Sequence, residues 1–84
     1  MRIRVIDGFI DETVPKHLFL DMSGFTGTCD DKEYEDSNLD DLIMVKWDDK
    51  VIKMMPYDYI AYCEDVLDED VTRYAFYKSD LVVV

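Results

Sequence analysis

The chain has 84 residues, of which 49% are apolar and 13% aromatic. That is enough for one small core and too little for a two-domain enzyme with a cleft between its domains. Twenty acidic residues against nine basic ones give a net charge of -11, which excludes direct binding to nucleic-acid phosphates or to an anionic membrane and points to a cationic partner.

From Met1 to Asp7, Ile3 and Val5 alternate with Arg2 and Arg4, the period-two pattern of a first strand. The same segment lacks the uninterrupted apolar core of a signal peptide, and no later run approaches the roughly 18 apolar residues of a membrane span, so a soluble, cytoplasmic protein is expected. Gly8 to Leu20 reads as a loop with one helical turn around Pro15 to Leu18. Gly24 and Gly27 bracket a tight turn that feeds a second strand over Phe25 to Cys29.

Asp30 to Asp41, DDKEYEDSNLDD, contains seven acids and one lysine, and such a density reads as a solvated loop. Leu42 to Trp47 (LIMVKW) and Val51 to Met55, on either side of Asp48-Asp49-Lys50, read as a β-hairpin at the centre of the fold. Pro56 ends it, Tyr57 to Tyr59 forms a short turn, and Ile60 to Cys63 reads as a brief strand. Val71 to Tyr77 and Leu81 to Val84 are rich in β-branched and aromatic residues and are expected to pair as a C-terminal hairpin. The apolar end LVVV then requires cover, from the barrel edge or from a second copy in a homodimer.

The motifs exclude more than they assign. Cys29 and Cys63 form no CxxC pair and are expected as buried, reduced thiols. His17, the only histidine, has no nucleophile beside it in a triad context and reads as a surface residue. An EF-hand register starting at Asp31 places Asp36 where glycine is needed and Leu42 where a bidentate glutamate belongs, so no metal site is expected. Nothing singles out two of the twenty carboxylates for acid-base work, and phosphate-binding glycine loops are missing; no catalytic residue and no cofactor are expected.

Trp47, Tyr57, Tyr59 and Tyr62 either converge as an aromatic groove for a proline-rich or basic peptide or fill the core. Tyr34, set amid DDKEYED, is expected to be exposed, and with Leu39 it is a candidate apolar anchor.

The run Gly24-Phe-Thr-Gly27-Thr28, then LIMVKWDD from Leu42 to Asp49 and VIKMMPYDYIAYCED from Val51 to Asp65, resembles small SH3-like barrels, including those of the KOW type. Pro56-Tyr57-Asp58-Tyr59-Ile60-Ala61 is similar to the P-S-N-Y-V-A turn of signalling SH3 domains. The resemblance implies an all-β fold, an SH3-like barrel over residues 1–65 with residues 66–84 as a β-hairpin extension packed on the same domain.

Two tracts carry the charge. Asp30 to Asp49 holds nine acids and two lysines, and Asp58 to Asp70 holds six acids and no base. Size, acidity and the lack of a catalytic constellation resemble the acidic, phage-type inhibitors that imitate DNA. The partner-binding residues expected on that reading are Asp30, Asp31, Glu33, Tyr34, Glu35, Asp36, Leu39, Asp40 and Asp41, set against a basic, nucleic-acid-binding surface of another protein. The alternative is an SH3-like adaptor that reads a peptide with Trp47, Tyr57 and Tyr59.

Overall fold

The computed structural model describes Met1–Val84. Strands β1 (Arg2–Val5), β4 (Thr26–Thr28), β5 (Leu42–Trp47), β6 (Arg73–Tyr77) and β7 (Leu81–Val83) form one antiparallel sheet in the order β6-β5-β4-β1-β7. A second pair, β2 (Ile10–Asp11) with β3 (Leu20–Asp21), begins inside the segment expected as a loop, Gly8 to Leu20, and ends one residue beyond it. The large sheet curls strongly into a half-barrel, so the fold is small and β-rich. Three short helices join it: α1 (Asp31–Asp36), α2 (Asp49–Met54) and α3 (Tyr57–Asp65).

Alternation builds the core. Ile3 and Val5 of β1, Ile43, Val45 and Trp47 of β5, and Phe76 of β6 are buried, while their neighbours in sequence point outward. The helices add Val51, Met55, Tyr59 and Cys63 to the same cluster. Gly27 is needed where β4 crosses β5. A Cβ there would collide with the carbonyl oxygen of Lys46 and lie 2.9 Å from Val45 Cγ1, so only glycine lets the two backbones approach.

Several expected elements are different in kind. The hairpin over Leu42 to Met55 does not form; its first strand is β5, but Val51 to Met55 belongs to α2 and its end. Val51 and Met55 are buried and Ile52 half-buried, a helical spacing in which the exposed Lys50, Lys53 and Met54 fall on the other side. Asp48 fixes the change of direction. Its carbonyl receives the amides of Val51 and Ile52, while its carboxylate receives both Arg2 guanidinium nitrogens, at 2.5 and 2.7 Å, and the Thr26 hydroxyl at 2.6 Å. These bonds hold the carboxyl at a pKa of about 2, the Arg2 bond contributing most.

Tyr57 to Cys63, expected as a short turn and a brief strand, is likewise helical: Tyr59 and Cys63, four residues apart, are the buried face of α3, and Pro56 stands just before its first turn. Val71 to Tyr77 and Leu81 to Val84 do contain strands, yet they are not a hairpin. β6 pairs with β5 and β7 with β1, at opposite edges of the sheet; a 3₁₀ turn at Lys78–Asp80 redirects the chain between them. Leu81 is buried, whereas Val82, Val83 and Val84 stay exposed beside β1.

One polar side chain is buried in this core. Asp11, 1% exposed, accepts the Thr13 amide and hydroxyl at 2.9 and 2.6 Å, the Tyr59 hydroxyl at 2.6 Å and the Tyr74 hydroxyl at 3.1 Å. Burial pushes its pKa up, but the bonds from Thr13, Tyr59 and Tyr74 outweigh burial and leave it below the ordinary carboxylate value. Burial and the Asp11 carboxylate push both tyrosine pKa values upward.

Three outcomes are expected. A carboxyl with a lowered folded-state pKa contributes stability above its unfolded pKa of about 4 and loses it as pH falls through the folded value. The acid limb of a denaturation series should therefore flatten in Asp11→Asn. Tyr59→Phe should lose roughly 1.5–3 kcal/mol at neutral pH, the range for a hydrogen bond to a charged group. Gly27→Ala should cost about 2 kcal/mol or more in a urea melt, since the new methyl meets backbone rather than a side chain that can rotate away.

Candidate interaction surface

Seventeen of the twenty carboxylates are exposed; Asp48 and Asp80 are half-buried and Asp11 is enclosed. Only three carboxylates stand in ion pairs: Asp31 with the N-terminal amine, Asp48 with Arg2, and Asp70 with Arg73 at 3.9 Å. The surface charge is therefore mostly uncompensated.

The first acidic tract is more ordered than a loop. Asp30 caps α1 by accepting the Glu33 amide at 2.9 Å, and acids in the first turn suit the positive end of a helix. Glu33 has a task at the sheet. Rungs between β4 and β5 run through Asp48–Thr26 and Lys46–Thr28, so the next would join Met44 to Asp30; that carbonyl has instead turned to receive the Tyr34 amide. Glu33 Oε1 takes the vacated place and accepts the Met44 amide at 3.2 Å. Asp41 accepts the Asn38 amide at 2.9 Å. Among the expected binding acids, Glu35, Asp36 and Asp40 are exposed, and their side chains make no hydrogen bond or ion pair in the fold.

The two expected anchors separate. Tyr34 is half-buried against the core, and the Lys78 ammonium sits 4.4 Å from its ring centre while donating to the Ser37 carbonyl at 3.0 Å. Tyr34 is thus a strut between α1 and the turn before β7, not a projecting side chain. Leu39 is 67% exposed, with its carbonyl pinned by the Ser79 amide.

The aromatic groove is not assembled. Trp47 and Tyr59 are buried, Trp47 edge-on to Phe25 and Phe76, while Tyr62 is half-buried and Tyr57 is 81% exposed. The Trp47 indole nitrogen has no hydrogen-bond partner. The sequence leaves core and groove open as alternatives, and burial decides for the core at Trp47 and Tyr59.

Cys29 and Cys63 are free and buried, and burial raises both thiol pKa values, which disfavours the reactive thiolate. His17 is exposed on a 3₁₀ turn. No group of three or more histidine, cysteine or carboxylate side chains is arranged to hold a metal ion. No helix is long and apolar enough to cross a membrane.

Sequence reasoning missed the outer face of the β5–β6 pair. Leu42 lies opposite Tyr77 and Met44 opposite Ala75, and Leu42, Met44 and Tyr77 are each about half exposed. The signal was available: in an alternating strand spelled LIMVKW, every second residue must face away from the core. Beside this face, Thr13, Met44, Glu69, Asp70, Arg73, Tyr74 and Ala75 line an open cleft of about 370 Å³. Asp70 is fixed there by the Thr72 hydroxyl and amide, at 2.6 and 2.9 Å, which lower its pKa.

Set beside known proteins, the chain matches no family model, no curated protein and no solved structure.

The geometry separates structural acids from surface acids, and stability measurements should do the same. Asp30→Ala should cost about 1 kcal/mol through the lost cap. The triple variant Glu35→Gln, Asp36→Asn, Asp40→Asn should stay within roughly 0.5 kcal/mol of the parent. Equal losses would mean that these three side chains support the fold after all.

Proposed function

We propose that this protein is a small acidic binder that occupies a basic, nucleic-acid-binding surface of a partner protein, in the manner of phage-type DNA-mimic inhibitors. It acts in the cytoplasm on this reading, without cofactor or catalysis. The observation that carries the proposal is the exposed and largely unpaired charge: -11 net, with most carboxylates free of any partner. The long axis is 34 Å. Over that distance a single nucleic-acid strand carries roughly 10 phosphates and a duplex about 20, so the net charge is of the order that a cationic groove is built to receive.

Charge alone binds loosely and dissociates in salt. An apolar anchor adds what charge lacks, and Leu39, exposed at the end of the acidic tract, can supply it. An SH3-like barrel is the architectural part of the proposal, and the curled antiparallel sheet supports it. The peptide-reading adaptor loses support, because two of its three aromatic residues are enclosed in the core.

Competition tests the proposal. A nucleic-acid-binding partner recovered with the protein should release its DNA or RNA when the protein is added, and the effect should weaken as ionic strength rises. The variant with Glu35, Asp36, Asp40, Asp58, Glu64 and Asp65 changed to their amides should compete at least about tenfold less well, since each lost contact removes part of the electrostatic attraction. A partner that holds this protein and nucleic acid together, or that is indifferent to the six changes, would reject the mimic.

A further inference from the structure

β6 is an edge strand, and its outward rim has no partner. The Trp47 amide donates to the Thr72 carbonyl and the Lys78 amide to the Asp41 carbonyl; between these two bonds the register places Val45 opposite Tyr74 and Ile43 opposite Phe76. Rungs of an antiparallel pair alternate, so Tyr74 and Phe76 bond to β5, while Arg73, Ala75 and Tyr77 direct their amides and carbonyls away from it. The Arg73 amide reaches the Asp70 carbonyl at 3.3 Å, but no backbone or side-chain partner meets Ala75 or Tyr77 there. The opposite edge offers less: on β7, Val82 and Val84 turn toward β1, and the Leu81 amide is taken by Lys78.

We propose that the free edge of β6 captures an extended, basic segment of the partner as an added strand. The inference rests on the reading of the partner as cationic and names how it is held. Backbone bonds to Ala75 and Tyr77 supply affinity, and alternate side chains of the incoming strand lie beside the outer face of Met44, Ala75 and Tyr77, the usual division of labour in strand addition. Charge selects the occupant. Glu69 and Asp70 stand beside the edge in the cleft that includes Ala75, and Asp41 lies at the other end, opposite Lys78. Two cations stand at the first end of the strand: Arg73, paired with Asp70 at 3.9 Å, and Lys46 opposite it on β5. A second copy of this chain would bring -11 against -11, which opposes edge-to-edge pairing with itself. The edge also lacks the proline or inward-pointing charge that commonly blocks such strands.

The probe is a peptide of alternating lysine and valine, with an alternating glutamate-valine peptide as its control. Titration followed by amide hydrogen exchange should slow the Ala75 and Tyr77 amides by at least about tenfold, the effect of one added backbone hydrogen bond. Ala75→Pro removes a donor that makes no internal bond, so it should keep the fold and weaken lysine-peptide binding at least about tenfold. Should that variant unfold, a probe N-methylated on its pairing rim tests the same bonds with the protein unchanged, and it should bind correspondingly worse. Lysine peptide that binds without slowing these two amides, or binds equally well when N-methylated, overturns the edge and leaves the cationic partner standing. Protection that rises with protein concentration alone, with a doubled mass in sedimentation, overturns it in favour of a second copy. Equal binding of the glutamate peptide would reject the cationic partner itself.

Discussion

A single buried carboxylate ties together parts of the chain that the sheet does not. Asp11 lies on β2, Tyr59 on α3 and Tyr74 on β6, and no backbone ladder connects these three elements to one another. Their side chains meet at the two oxygens of Asp11. Removing a carboxylate from water is costly unless its lone pairs are filled, and four bonds from Thr13, Tyr59 and Tyr74 fill them. Conformational uniqueness follows: sliding α3 along the sheet would leave a charge with too few donors. Apolar packing alone would tolerate such a slide better, because contacts among Val51, Met55, Cys63 and the inner face of the sheet are not directional.

How much of this is legible in the sequence depends on which period the apolar residues keep. β1 and β5 alternate strictly, so their bounds and inner faces can be read from Arg2 to Val5 and from Leu42 to Trp47. The β-propensity of Tyr74, Phe76, Val82 and Val83 marks the last two strands. Their partners are not legible, because pairing across the sheet depends on where α2 and α3 send the chain. The segment from Val51 to Cys63 misleads for a definite reason. Val51, Ile52, Met54 and Met55 include β-formers, yet Val51 with Met55, and Tyr59 with Cys63, are buried pairs four residues apart, one pair to each helix, and that spacing favours helix over local propensity.

The acidic tract shows the same limit at the level of the site. Its solvation follows from composition, and the residues are exposed apart from Tyr34 and Ser37. Composition is silent on division of labour: Asp30 caps a helix, Glu33 replaces a missing carbonyl in the sheet, and Asp31 holds the N-terminal amine. These roles are set by where the fold brings each carboxylate, which composition does not encode. They also sharpen the functional argument, since a charge that already serves the fold is a poor guide to binding, whereas Glu35, Asp36 and Asp40 have no such occupation.

Charge and the open edge belong to one physical problem. A short domain with a curled but unclosed sheet leaves strand rims that invite association with any extended chain. Closing the barrel would remove the rims. Acids beside one rim, as Glu69 and Asp70 are placed beside Ala75, achieve something narrower on the proposed reading: they disfavour a like-charged copy and favour a basic chain. Glu33 shows how the fold manages such a rim when it is to be closed: one side-chain oxygen satisfies the Met44 amide, and α1 lies alongside. At Ala75 and Tyr77 no side chain performs that service, although Glu69 and Asp70 are near enough to border the same cleft. The sheet is therefore capped where its fifth strand outruns its neighbour, and open at the rim where acidic residues stand beside unpaired backbone.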